Sequence, residues 1–120
     1  MALRRPPSIE AFGEGGFRVS GVWRPGSLLI LGDQPLAWAP QTLEILQTDD
    51  FSPVIEAGPA VSEFVLLGTG AHQSLPPRTI RDAIRQAGLG LEFMATDSAA
   101  RLYNVLASQG RRVAAALIAL

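Results

Sequence analysis

From Leu91 to Leu120 the apolar positions change period twice with almost no linker between the segments. An apolar strand over Leu91 to Met94 gives way to a helix over Ser98 to Gln109, capped by Thr96 or Asp97, with Leu102, Val105 and Leu106 read as its core stripe. Gly110 stops that helix, and Arg112 to Ile118 returns as the final strand. The run Phe64-Val65-Leu66-Leu67 just upstream is apolar without interruption, which fits a strand covered on both faces, and it ends in Gly68-Thr69-Gly70. Pro76 and Pro77 suit the start of a helix whose apolar residues Ile80, Ala83, Ile84 and Ala87 share one face, with Gly88 as its stop. Strand, helix, strand, helix, strand from residue 63 onward is the grammar of an α/β sheet.

The front of the chain follows a period of two. Residues 1–15 carry prolines and glycines without sustained periodicity and read as an irregular arm that packs through Ile9 and Phe12, ahead of a single domain over 16–120. Phe17 and Val19 alternate with Arg18 and Ser20 as a half-buried strand. Trp23-Arg24-Pro25-Gly26 reads as a turn into a second strand over Ser27 to Leu31, so that the two strands form a hairpin. Leu36 to Trp38 is a third strand, and Thr42 to Leu46 alternates weakly as a fourth. Thr48, Asp49 and Asp50 suit the start of a short helix that reaches Ala57, with Pro53 in its first turn and Gly58-Pro59 after it. The expected fold is one three-layer α/β domain with a mixed central sheet, helices packed on it and a smaller N-terminal β-hairpin layer. Its core should include Leu29, Val65, Leu67, Ile84, Phe93, Leu102, Val105, Leu106, Ala115 and Leu117.

Composition narrows the function classes. The 120 residues suit one core, and 48% hydrophobic against 18% charged residues argues against disorder. Ten basic residues against eleven acidic ones, with a pI near 5.7, give no field that would collect phosphates, so nucleic acid is not expected as the main partner. The basic residues are all Arg, in a chain rich in Ala, Gly and Pro, which suggests a GC-rich bacterial source. With no Cys and one His, disulfides, thiolate chemistry and Cys- or His-rich metal sites are excluded, and no cofactor is implied. The longest apolar run, Val113 to Leu120, is far shorter than the roughly 18 to 20 residues of a spanning helix. Arg4 and Arg5 are followed by Pro6-Pro7 where a signal peptide needs an apolar run, so a cytoplasmic protein is expected.

Three segments, FVLLGTG at 64–70, LPP at 75–77 and ATDSAARLYNVLASQGRRVAAALI at 95–118, occur in an order that resembles one small family. It includes the mitochondrial complex I assembly factor three and the adipogenesis-associated domain protein, with many uncharacterised bacterial members. The likeness spans about residues 9–118. It implies a three-layer α/β fold with a mixed central sheet, and for some relatives a part in assembling respiratory complex I. The family pattern carries an Asp and a Cys in the Arg-x-Tyr-Asn segment, where this chain has Ala95 and Ala100, a departure that bears on any role resting on those side chains.

Four groups of residues bear on a candidate site. Gly68, Thr69 and Gly70 after a strand resemble the opening of a dinucleotide fingerprint, yet residue 73 is Gln and the next helix begins too far on to set its amides on a phosphate. His72, Ser74 and Asp97 match a triad by residue type alone, since Ser74 lies in no nucleophile elbow and Asp97 is better placed as a cap. Arg101, Tyr103 and Asn104 are the more informative set, with Arg101 and Asn104 on one flank of the helix and Tyr103 on the other. Either they tie strand ends together, or they face the Gly68-Thr69-Gly70 loop across the crevice of an open sheet. Arg78, Arg81 and Arg85 make a basic strip on the preceding helix, read as a solvated face or as a surface for a protein partner. The function expected is a non-enzymatic interaction or assembly module. The alternative is a small-molecule or anion site at the Gly68 loop, with His72 beside it.

Overall fold

Three strands buried along nearly their whole length, flanked by two more exposed ones, build the centre of the molecule. The computed structural model describes residues 4–120. Strands β1 (Ile9–Gly13), β2 (Gly16–Val19) and β3 (Val22–Pro25) form an antiparallel sheet in the order β1-β2-β3. Strands β4 (Ser27–Leu31), β5 (Gln34–Trp38), β6 (Phe64–Gly68), β7 (Gly90–Met94) and β8 (Val113–Leu117) form a mixed sheet in the order β5-β4-β8-β6-β7. Within it β6 runs parallel to both β7 and β8, while β4 is antiparallel to β5 and β8.

Each central strand sends alternate residues to opposite faces, and both faces are covered. Leu28, Ile30, Leu66, Ala115 and Leu117 meet helix α3 (Thr96–Ser108) and the small sheet. Leu29, Val65, Leu67, Ala114 and Ala116 meet helices α1 (Ser52–Ala57) and α2 (Arg78–Gln86). The result is the three-layer arrangement expected, with a β layer at the front of the chain. Ile80 and Ile84 are the buried positions of α2, as its spacing predicted.

The pairing of the front strands differs from the expected hairpin. Ser20 and Gly21 hold consecutive positive φ angles of 46° and 84°, which close a two-residue loop that turns β2 directly into β3. The Trp23 to Pro25 stretch is therefore strand, and Gly26 marks the step from one sheet to the other. The stretch read as an irregular arm supplies β1, whose Ile9 is buried; residues 1–3 of it lie outside the described residues. Thr42 to Leu46 holds a 3-10 turn at Leu43–Ile45 and no strand. The helix that follows begins as a 3-10 turn at Thr48–Phe51 capped by Gln47, whose backbone N–H donates to Asp50 Oδ2 at 2.8 Å. Pro53 does fall in the first turn of α1.

Helix α3 is rotated from its expected phase. Thr96, Ala99, Ala100, Tyr103 and Ala107 are its buried residues, Leu102 and Leu106 are half-buried, and Val105 is 51% exposed. Phe93 of the expected core is also only half-buried. Small side chains let the helix lie close on β6 and β8, and Tyr103 fills the space that remains. Neither Thr96 nor Asp97 caps it: the N-cap is Ala95, and Asp97 Oδ1 accepts from the Ser98 backbone at 2.7 Å.

Candidate functional site

The end of β6 meets the start of α3 and the end of β8 at one tightly bonded corner. Thr96, fully buried in the first turn of α3, donates its hydroxyl to the Ile118 carbonyl at 2.8 Å and accepts from the Gly70 backbone at 2.9 Å. Its own backbone N–H reaches the Gly70 carbonyl at 2.8 Å. A side chain at Gly68 would bring its Cβ to 2.8 Å from Thr96 Oγ1 and 3.0 Å from Thr96 Cα, so glycine is what allows the helix start to sit on the strand end. Thr69 Oγ1 lies 2.6 Å from the His72 carbonyl and 3.1 Å from that of Met94, and it accepts from the Ser74 backbone at 3.2 Å. The Gly-Thr-Gly segment is thus a fastener for three strand ends. Thr96 is the residue that sequence reasoning passed over, because as a cap candidate it already had an explanation.

Beside this corner lies an open cleft of about 270 Å³. Thr69, Gly70 and His72 line one side, the 3-10 turn at Leu43 lines the other, and Ile118 closes the floor. Gln41, Glu44 and His72 bring an amide, a carboxylate and an imidazole to its rim. Such a cleft can hold a small polar molecule by hydrogen bonds. Among the described residues no hydrogen bond joins the side chains of the nominal triad; Asp97 does not line the cleft, and it accepts from the Ser98 backbone and lies 3.7 Å from Arg101.

Arg101, Tyr103 and Asn104 do not face this cleft. Arg101 is exposed and stands over the Phe12 ring at 5.3 Å, so it bridges α3 to β1 from outside. Asn104 grips β1 by its backbone, accepting from Ile9 N–H at 2.9 Å and donating to the Ile9 carbonyl at 2.8 Å. Tyr103 is buried in the core that the flank reading denied it, and burial, with the charge of Asp33 in support, pushes its phenol up to about 12. Arg4 forks onto Asp33 at 2.9 and 3.0 Å and caps the carbonyls of Gly110 and Arg111 beyond the end of α3, and the bonded Asp33 raises the pKa of its guanidinium.

On the opposite layer, Arg78 and Arg85 both pair with Asp82, at 3.6 and 3.1 Å, and Arg81 donates to the Pro76 carbonyl at 3.0 Å. Arg81 and Arg85 border a groove of about 340 Å³ with Leu89, Leu91 and Phe93. Among the described residues no group of three His, Asp or Glu side chains could hold a metal ion, and no helix is long and apolar enough to cross a membrane.

The fold and its corner define a three-layer α/β protein in which a short glycine segment locks a helix start to strand ends. The chain belongs to the DUF498/DUF598 family of proteins of unknown function, whose pattern matches residues 9–118. It is 35% identical to an uncharacterised protein of Rhodobacter capsulatus, over 98% of this chain and 93% of that one. It is 31% identical to bovine NADH dehydrogenase [ubiquinone] 1 alpha subcomplex assembly factor 3, covering 92% of this chain but 59% of the factor's length. The crystal structure of a Bartonella henselae protein described as an outer membrane protein superposes with a TM-score of 0.87 at 30% identity, over 95% of both chains.

Proposed function

We propose that this protein is a non-enzymatic interaction module that assists the assembly of a multisubunit complex, with the NADH:ubiquinone oxidoreductase as the first candidate. The observation that carries the reading is the likeness, over 92% of this chain, to a protein named as an assembly factor for that enzyme. In support, three polar side chains of this region are engaged with neighbouring backbone: Thr69 and Thr96 join strand ends, and Asn104 joins a helix to a strand. The test is deletion in a host that makes this oxidoreductase, with the assembled enzyme quantified on native gels. The expected result is a loss of intact complex, with accumulation of a subcomplex, restored by the wild-type gene. Unchanged assembly would overturn the reading.

A second reading rests on the 270 Å³ cleft at the carboxyl ends of β6 and β8, the end of an α/β sheet where ligands commonly bind. Thermal unfolding against a panel of anions and nucleotides tests it. A ligand at about 100 times its dissociation constant raises stability by about 2.7 kcal/mol, and no shift across the panel refutes this reading.

A further inference from the structure

Each sheet has two edges, and among the described residues three of the four edge strands carry a feature that discourages a further strand. β1 breaks register between Ile9 and Ala11, and Asn104 takes both backbone groups of Ile9. β3 and β5 contain Pro25 and Pro35, which offer an incoming strand no N–H. β7, at the end of the mixed sheet, has neither proline nor bulge, and its five residues pair with β6 in unbroken parallel register. That pairing fixes which backbone groups are left over. Gly90 donates to the Glu63 carbonyl and Met94 accepts from the Thr69 N–H, so the N–H and C=O of Gly90, Glu92 and Met94 are turned to β6. Those of Leu91 and Phe93 are turned outward, and among the described residues none of these four groups has a partner.

Side chains give this edge a chemical preference. Along it runs the groove of about 340 Å³ between β7 and α2. Leu91 and Phe93 alternate to the α2 face, where both pack half-buried beside Leu89, while Met94, and with it Glu92, points to the α3 face. Arg81 and Arg85, one turn apart on α2, border the same groove. Asp82 is the one carboxylate there, and it is already shared between Arg78 and Arg85. Arg81 spends its Nε on the Pro76 carbonyl and forms none of the ion pairs seen among the described residues. An apolar floor beside an unpaired strand edge thus carries a rim with an excess of positive charge.

Resting on the reading of the chain as an interaction module, we propose that β7 receives an extended segment of a different protein chain as a further strand of the mixed sheet. Its main chain bonds to Leu91 and Phe93, an apolar side chain lies on the groove, and an Asp or Glu carboxylate meets Arg81 and Arg85. Charge complementarity selects the occupant. A second copy joined edge to edge about a two-fold axis, with Leu91 opposite the equivalent of Phe93, would set Glu92 directly against its own equivalent and bring two basic strips together on one face. Neither a lipid surface nor a phosphate chain offers donors and acceptors that alternate at the spacing of a strand.

The purified chain is used to select peptides from a random phage-displayed library, and synthetic peptides of the enriched sequences are titrated against it. Those sequences should combine an acidic residue with apolar ones at alternate positions. In hydrogen exchange followed by NMR, saturating peptide should slow the amides of Leu91 and Phe93 by about tenfold or more, since the segment supplies the acceptors they lack. N-methylation of the peptide should abolish binding at one alternate set of residues and spare it at the other, because only one set faces β7. Arg85→Glu, at a side chain 77% exposed, should melt close to wild type yet weaken binding by about tenfold or more, and replacing the peptide's acidic residue by Arg should restore it. Binders without an acidic residue, unprotected Leu91 and Phe93 amides, no difference between the two N-methylated sets, binders that map to the Gly68 cleft, or no binder at all would overturn the proposal. So would a dimer in sedimentation velocity whose Leu91 and Phe93 amides are protected without peptide. The assembly role itself is judged separately, by the amount of intact complex in the deletion strain.

Discussion

Two residues set the local chemistry of this molecule, and neither stands out as a hydrophobe in the sequence. Thr96 satisfies a buried amide and a buried carbonyl with one hydroxyl. Thr96→Val keeps the shape and strands both groups, so chemical denaturation should show a loss of at least about 2 kcal/mol, while Thr96→Ser should stay closer to wild type. Tyr103 is the chain's single tyrosine, which makes its titration directly visible in ultraviolet absorbance. Its phenol is neutral when protonated, and the folded state holds it near 12 against an ordinary value of 10.0. The unfolded chain therefore releases this proton first. The associated stability is complete below pH about 10 and is lost as pH rises toward about 12, by roughly 2 to 3 kcal/mol. Tyr103→Phe should flatten that alkaline decline; an absorbance midpoint near 10 in the folded protein would refute the buried phenol.

At the scale of elements, the attachment of β1 to α3 is the point where side-chain roles divide. Asn104 supplies both partners of the Ile9 backbone, so Asn104→Ala should cost about 1 to 3 kcal/mol and speed amide exchange at Ile9. Arg101 sits three residues earlier on the same helix, yet its guanidinium is solvated and its contacts are a long ion pair and a ring face. Arg101→Ala should change stability by less than about 1 kcal/mol. A large loss there with a small one at Asn104 would reverse this assignment. The segment was legible as important, since three polar residues crowd the middle of one helix, but which of them bears the fold was not. That depends on β1, a strand about ninety residues away in the chain, which no local pattern connects to Asn104.

For the whole molecule, the central sheet is shared by both cores, because successive residues of β8 enter opposite clusters. Neither layer can be lost without exposing the other side of the same strands. Thermal unfolding followed by far-ultraviolet circular dichroism and by tryptophan fluorescence should therefore give coincident single transitions, and a separated early phase would mean that the small sheet melts alone. The sequence by itself determined the order of elements from residue 63 on, the two-sided burial of Phe64 to Leu67, and the α/β class, because those follow from spacing between near neighbours. Tertiary structure alone decided that β4 joins β8, and that Ala99, Ala100 and Ala107 rather than Val105 face the sheet. The physical reason is the same in each case. Pairing and burial depend on which surface arrives opposite and how closely it approaches, and on α3 that distance favoured small side chains over the most hydrophobic ones.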